Sequence, residues 1–311
     1  MKNTGQPVLK PHKQSGDFLN NFYTRRKMLG IVLILPTIIL LMVFIAYPVL
    51  SNLFLSFTDA TLSRNQSNFI GFGNFVKLLS NPRFFNYSWN TLVWTFFSVI
   101  GQLAVGLGLA LLINRQMRGG AFLRSFLLIP YVVPAIALAL ITRWLCDGDY
   151  GIVSNLLQNI GLIGYKQSPL AIPGSAMTIL ILVNIWRSYP FPMLIYWAAL
   201  KGIDKEMYEA ANVDGASKLQ TFLYIVLPQL RNTTLVLAIL RIVWTATYFD
   251  LIWMVTGGGP AGTTTHLPIM IYQSSFGTFQ FGYASAISIV LGLGLLVCIV
   301  FYVKKSGDFA D

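Results

Sequence analysis

Charged side chains are missing from four long stretches of the chain: Met28 to Thr58, Phe84 to Asn114, Ser125 to Thr142 and, apart from His266, Leu251 to Val303. Several of these exceed the roughly 20 residues that a helix needs to cross a hydrocarbon core of about 30 Å. In lipid a backbone must satisfy its own hydrogen bonds, so spanning segments of this kind are helices. The pattern predicts six of them, over residues 29–53, 89–113, 123–146, 172–199, 231–256 and 281–303. An all-α, polytopic membrane protein is expected, with an N-terminal tail over 1–28, a transmembrane domain over 29–303 and a C-terminal tail over 304–311.

Composition narrows the class further. The 311 residues are 55% hydrophobic and only 11% charged, where soluble proteins carry about a quarter charged residues. Soluble and disordered readings are excluded. Lys and Arg are retained on the cytoplasmic side of a membrane, and an N-in, C-in arrangement puts Lys2, Lys10, Lys13, Arg25, Arg26, Lys27, Arg115, Arg118, Arg124, Lys201, Lys205, Lys218, Arg231, Lys304 and Lys305 inside. Arg64, Lys77, Arg83 and Lys166 fall outside, a ratio of fifteen to four. The net charge of +11 is therefore a topology signal and not the footprint of a nucleic-acid partner. Arg25 and Arg26 precede an apolar run longer than the h-region of a signal peptide, with no small-x-small site after it, so the first helix reads as an uncleaved anchor. Cys146 and Cys298 read as buried apolar cysteines, with neither a disulfide framework nor a metal site implied.

Between spans four and five lies a long hydrophilic segment, 200–230, whose pattern is helix, turn, helix. Asp204 is placed to cap a helix over 205–213, Gly215 to supply the positive φ that ends it, and Ser217 to cap a second helix running into Pro228. Ala210 and Ala211 leave little side chain between the first helix and anything docked on it. On these grounds alone, a protein-docking connector and an amphipathic helix lying on the membrane surface stand level.

Two charges fall near the middle of spans. Arg187 lies midway along span four and Arg241 ten residues beyond Arg231, about 15 Å at the helical rise. Intramembrane arginines cost roughly 2.5–3.5 kcal/mol on insertion scales and face a bundle interior or an aqueous cavity. Arg241, Thr245 and Tyr248 share a helix face, while Asp250 lies about 180° away at 100° per residue, near the outer end of the span, as an interfacial or gate residue. Asn184, Arg187 and Ser188 precede Pro190 and Pro192, which cannot donate backbone bonds and predict a broken helix beside a cavity. Two readings of the arginines stay open: they pair with carbonyls or a neighbouring subunit's acids, or they meet a phosphate, sulfonate or carboxylate on a polyhydroxylated solute. Trp186, Tyr248 and Trp253 either stack on a sugar ring or simply pack. The stretch Gly257 to Gly262 lacks the lysine of a phosphate-binding loop and reads as an outer turn. His12 and His266 lie outside the spans and no acid pair lies within them, which leaves an intramembrane enzyme without a catalytic pair. A self-sufficient secondary transporter or channel is the alternative, and it leaves the helix-turn-helix segment unexplained.

The run EAANVDGASKLQTFLYIVLP at 209–228 resembles the signature of permease subunits of ABC importers, in which E-A-A, three residues, G, nine residues and I-x-L-P recur. The resemblance is to the carbohydrate branch, which includes maltose and glycerol-phosphate importers. It extends to Tyr47-Pro48, Ser56 to Asp59, Phe69 to Gly71 with Asn74, Asn90-Thr91, Arg124 with Pro130, Pro134 and Trp144, and FDLIWMVTGGGP at 249–260. It implies that Glu209, Ala210, Ala211, Asp214 and Gly215 form a coupling helix docked on a separate ATPase, with Pro228 structural. It implies sugar contacts at Ser188 and Phe191 and at Arg241, Thr245 and Tyr248, and structural or gating roles for Pro190 and Asp250. The implied partners are a second related permease, a pair of ATPase subunits that use ATP and Mg, and an extracytoplasmic solute-binding protein; this chain itself would bind no cofactor. The implied setting is the bacterial inner membrane and the implied mechanism alternating access. Arg231 stands where many relatives have a further proline, which predicts a straighter start to span five, and the outer loop 54–88 is too short for the large insertion some relatives carry.

Overall fold

The computed structural model of the chain describes residues 28–29, 31–63, 67–115 and 119–307. The N-terminal tail with Lys2, Lys10, His12, Lys13, Arg25, Arg26 and Lys27, together with Arg64, Arg118 and residues 308–311, lies outside the described residues. Among the described residues all regular structure is helical apart from an isolated bridge between Thr58 and Phe69. The chain divides after Phe54 into two compact units.

The first unit carries all but the last two residues of helix α1 (Ile31–Ser56), whose 26 residues are long and apolar enough to cross a membrane. It widens into a π turn over Met42–Ala46, just before Pro48, where the missing N–H interrupts the hydrogen-bond ladder.

The second unit begins with α2 (Gly73–Leu79) and the long span-two helix α3 (Pro82–Asn114), which starts seven residues before the expected 89 because Asn81 accepts from Arg83 N and Pro82 sits at the first helical position. Then follow α4 (Gly120–Val132), α5 (Ala135–Leu145), α6 (Ile152–Asn159), α7 (Ser175–Ser188), α8 (Pro190–Lys201), α9 (Lys205–Val213), α10 (Lys218–Gln229), α11 (Arg231–Ala246), α12 (Asp250–Thr256), α13 (Leu267–Tyr272) and α14 (Phe281–Gly307).

Three of the expected spans are not straight rods. Span three, expected unbroken over 123–146, turns by 90° between α4 and α5. Pro134 is the cause: it pushes Val133 into the extended region at φ −65°, ψ 122° and ends the helix there. Span four breaks by 44° between α7 and α8, at Pro190 as the two prolines predict. The approach to span five bends by 63° at Leu230, so replacing proline with Arg231 does not straighten it. Span five was expected to be continuous over 231–256; α11 ends instead at Ala246, where Tyr248 N bonds to Thr245 O and Thr247 Oγ1 to Val243 O, and α12 restarts at Asp250. Cys146 is buried as expected, but Cys298 is exposed on α14.

Packing is closest between α3 and α8. A Cβ on Gly106 would lie 2.8 Å from Pro192 Cβ and 3.0 Å from Met193 N, so only glycine lets these backbones approach. One apolar cluster joins Trp94, Leu138, Leu180 and Ile252; a second joins Ala110, Tyr189, Met193, Tyr196 and Leu237. Along α3, α7 and α11 the residues between these clusters are polar: Ser98 and Gln102, then Asn184, Arg187 and Ser188, then Arg241 and Thr245. A polar layer is thus held between two apolar ones.

Motif residues on the other loops act as clamps. Asn74 Nδ2 donates to the carbonyls of Ser56 at 2.9 Å and Thr58 at 2.7 Å, and Asn90 Nδ2 to those of Gly262 at 3.2 Å and Thr265 at 2.8 Å. The glycine stretch forms a turn as expected, with Thr265 Oγ1 donating to Gly258 O.

Candidate functional site

Within the polar layer, Tyr131, Asn184, Arg187, Ser188, Arg241, Trp244, Thr245 and Tyr248 line one cavity of about 360 Å³. Four elements meet there, and each delivers its residues for a local reason. The Pro190 break ends α7 just after Arg187 and Ser188, and the early end of α11 leaves Tyr248 in a turn directly after Thr245. Tyr248 therefore reaches the cavity from a turn and not along a shared helix face.

Arg241 is 6% exposed, and its Nε–H donates to Gln102 Oε1 at 2.7 Å. A charge-assisted bond of this kind holds the guanidinium in one orientation. Arg241 also lies over the Trp244 ring at 5.7 Å, and Arg187 over the Tyr248 ring at 5.2 Å, both within cation–π range. Ser188 Oγ donates to Asn184 Oδ1 at 3.2 Å, which uses an acceptor and leaves Asn184 Nδ2 without a partner among the described residues. Arg187 Nε, Thr245 Oγ1 and Tyr248 Oη are likewise shielded from solvent and unpartnered. Among the described residues, no carboxylate lines the cavity. The site is a cluster of hydrogen-bond donors around two cations, a set that complements an oxyanion.

Supporting contacts come from outside the wall. Trp94 Nε1 donates to Thr245 O at 2.8 Å, and His266 Nε2 contacts Tyr248 O at 3.1 Å. His266 lies fully buried in the segment joining spans five and six, and burial pushes its pKa down to about 4, so its imidazole is neutral and donates from Nε2. Both contacts fix the backbone at the turn that presents Tyr248.

Six of the seven expected solute-site residues line this cavity; Phe191 does not, and instead packs on Trp244 at 5.2 Å between ring centroids. Of the aromatics considered for stacking, Trp253 packs against Phe249 and Tyr272, and Trp186 lines a separate apolar pocket. Asp250 is exposed in the first turn of α12 and does not line the cavity. Sequence reading missed Tyr131, Trp244 and Gln102. A signal for Gln102 existed: Thr91, Thr95, Ser98 and Gln102 recur at helical spacing on α3, and all four are buried.

The second site is the segment 200–230. Asp204 occupies the cap position of α9, but its side chain accepts no bond from the helix, a correction to the expected capping. The C-terminal end is as expected: Gly215 adopts φ +73°, with Gly215 N bonded to Asn212 O at 3.2 Å and Ala216 N to Ala211 O at 2.9 Å. Ser217 and Gln220 form a reciprocal capping box at the start of α10. Glu209, Ala210 and Asp214 are exposed, Ala211 is buried, and Val213 is 87% exposed, so α9 offers small and apolar surface to the outside.

Residues 102–304 match the family described as binding-protein-dependent transport system inner membrane component. The chain belongs to this family. It is 35% identical over 274 residues, 88% of each chain, to the sulfoquinovosyl glycerol transport system permease protein SmoG of Agrobacterium fabrum. It is 32% identical over 280 residues, 90% of this chain and 94% of the other, to the trehalose/maltose transport system permease protein MalF of Thermococcus litoralis. A solved bacterial ABC transporter involved in import of the acidic polysaccharide alginate superposes with a TM-score of 0.79 at 27% identity, over 92% of this chain and 98% of that one. The permease is thus the membrane-spanning, non-catalytic subunit of an ABC importer.

Proposed function

We propose that this permease moves an anionic, polyhydroxylated solute of the sugar class inward by alternating access, and that the 360 Å³ cavity is where the solute's anion rests midway. One observation carries the reading: two arginines, together with Asn184, Thr245 and Tyr248, whose polar atoms lack partners among the described residues, line a cavity that no carboxylate of the described residues lines. Transporters hold substrate near the bilayer midplane at broken helices, and the cavity lies at the Pro190 break. Asn184, Arg187, Ser188, Arg241, Thr245 and Tyr248 bind the solute directly, with Phe191 acting through Trp244. Arg241, oriented by Gln102, supplies the forked donors; Arg187 adds charge; the hydroxyls of Thr245 and Tyr248 meet the sugar. Two of the similar proteins are named for acidic carbohydrates, a sulfonated glycoside and alginate, which fits an anion and leaves the sugar itself open.

The rest of the machine follows from the family. A second, related permease completes the pathway, a pair of ATPase chains docks on Glu209, Ala210, Ala211, Asp214 and Gly215, and a solute-binding protein delivers from outside the bacterial inner membrane. A structure similar to this chain is of an alginate importer in complex with a solute-loaded periplasmic protein. ATP and Mg act in the ATPase chains. Pro190 and Pro228 keep the helix breaks, and Asp250 lies near the outer mouth.

The test is radiolabelled uptake in proteoliposomes of the assembled importer, with a sulfonated or carboxylated sugar and its neutral analogue. A hydrogen bond to a charged group contributes about 1.5–3 kcal/mol, so Arg241→Ala is expected to lower uptake of the charged solute roughly 30-fold and that of the neutral one severalfold at most. Equal losses for both would remove the anion from the reading.

A further inference from the structure

A second cationic cavity, of about 520 Å³, opens where α3, α4, α8 and α9 meet on the coupling side of the membrane. Arg115 at the end of α3, Arg124 in the second turn of α4, Lys201 at the last position of α8 and Lys205 at the first of α9 all line it. Among the described residues no carboxylate lines it, and none of the four cations forms an ion pair with one of them. Asp204 and Glu206 flank Lys205 along the chain, yet neither lines the cavity.

Trp197 organises the wall. Arg124 stands 4.7 Å and Lys201 4.1 Å from the centroid of its ring, so the two cations lie no further apart than those distances combined. Like charges this close repel, and an anion between them turns the repulsion into attraction. The indole Nε1 is shielded from solvent and has no partner among the described residues. Ile113 and Leu200 supply apolar wall from the ends of two spans. Cations retained for topology alone need not converge from four elements on one cavity with one aromatic floor.

We propose that this cavity binds the phosphate headgroup of an anionic phospholipid of the inner leaflet, with the start of an acyl chain against Ile113 and Leu200. The chemistry is that of basic pockets between spans, which hold phosphate headgroups at the cytoplasmic surface. A docked protein is the weaker occupant, since Glu209, Ala210 and Val213, which α9 turns outward, do not line the cavity. The lipid would brace α8 against α9, the joint through which coupling passes.

The experiment is native mass spectrometry of the whole importer, extracted into detergent with an equimolar mixture of phosphatidylglycerol and phosphatidylcholine. The native complex is expected to retain phosphatidylglycerol about tenfold over phosphatidylcholine, Arg124→Gln with Lys201→Gln to lose that preference, and Arg124→Lys with Lys201→Arg to keep it. Thermal unfolding of each complex checks that the neutral pair is folded; if it is not, Trp197→Phe, which shrinks the aromatic floor under Arg124 and Lys201 and leaves all four cations in place, is expected to reduce retention two- to threefold. Absence of preference in the native complex, or undiminished preference in the neutral pair, overturns the proposal. Displacement of the lipid by millimolar inorganic phosphate or glycerol phosphate would make the ligand a soluble phosphate and overturn the lipid assignment. Loss of ATPase subunits from the neutral pair with lipid retention intact would assign the cations to protein docking instead.

Discussion

The permease holds two groups of cations whose surroundings are opposite. In the central cavity Arg241 is 6% exposed, and its guanidinium is held by Gln102 and stacked near Trp244. At the rim, Arg115, Lys201 and Lys205 are exposed and Arg124 is half-buried, with Trp197 as the shared contact of Arg124 and Lys201. A buried charge is tolerated only where fixed dipoles replace its water, so its direction is specified along with its sign. An exposed charge keeps its water and is specified in sign alone. The centre can therefore discriminate by geometry, whereas the rim recognises by the number and proximity of its charges.

Exchanging cation type tests that contrast most strongly. Arg241→Lys keeps the charge but loses the fork that reaches Gln102 and a bound anion together, and uptake of the charged solute is expected to fall about 30-fold. Arg124→Lys makes the same exchange at the rim, and lipid retention there is expected to stay within about twofold because only charge is read. Uptake assays and mass spectrometry of the same two preparations give the comparison. Equal tolerance at both sites would mean that the centre, too, reads only charge.

Salt gives the next largest separation. Between roughly 0.05 and 0.5 M potassium chloride the Debye length shrinks from about 14 to 4 Å, so retention of phosphatidylglycerol at the rim is expected to drop about tenfold. The KM for the charged solute, measured in the importer with saturating binding protein, should move less than about twofold, since buried partners are poorly screened. A strong salt effect on KM would place the Arg187 and Arg241 charges in contact with bulk water.

The two groups were also unequally legible in the sequence. Charge-free runs located the first, second, third and sixth spans, because insertion energy depends on composition over a length and hardly on detail. Arg187 and Arg241 stood out for the same reason, as costly residues in an apolar context. Their partner did not: Gln102 is uncharged, and its significance lies in a stripe with Thr91, Thr95 and Ser98 whose burial only packing reveals. Tyr131 and Trp244 were lost among many aromatics. The 90° turn at Pro134 and the early end of α11 escaped because hydropathy measures length, not direction. The local geometry of 200–230, helix, turn and helix, was read almost completely, since glycine and capping residues act locally; only Asp204 failed, being at the cap position without making the bond. The rim cavity could not be read at all, because its four cations are scattered from 115 to 205 and meet only in the fold.

The smallest expected effect isolates the coupling segment from both cavities. Gly215 has φ +73°, and a Cβ added there meets nothing within 4 Å, so the cost of Gly215→Ala comes from the backbone alone. A left-handed conformation costs a non-glycine residue about 1 kcal/mol, equivalent to roughly fivefold in an equilibrium. If α9 must hold this turn to receive motion from the ATPases, stimulation of ATP hydrolysis by loaded binding protein should fall about fivefold in Gly215→Ala. Gly215→Asn should lose less, because asparagine tolerates the left-handed region. Solute discrimination and lipid retention should be unchanged in both, since neither cavity includes this residue. An alanine variant with full stimulation would show that the turn is not under load, whereas loss of lipid together with stimulation would show that the rim and the turn respond as one body.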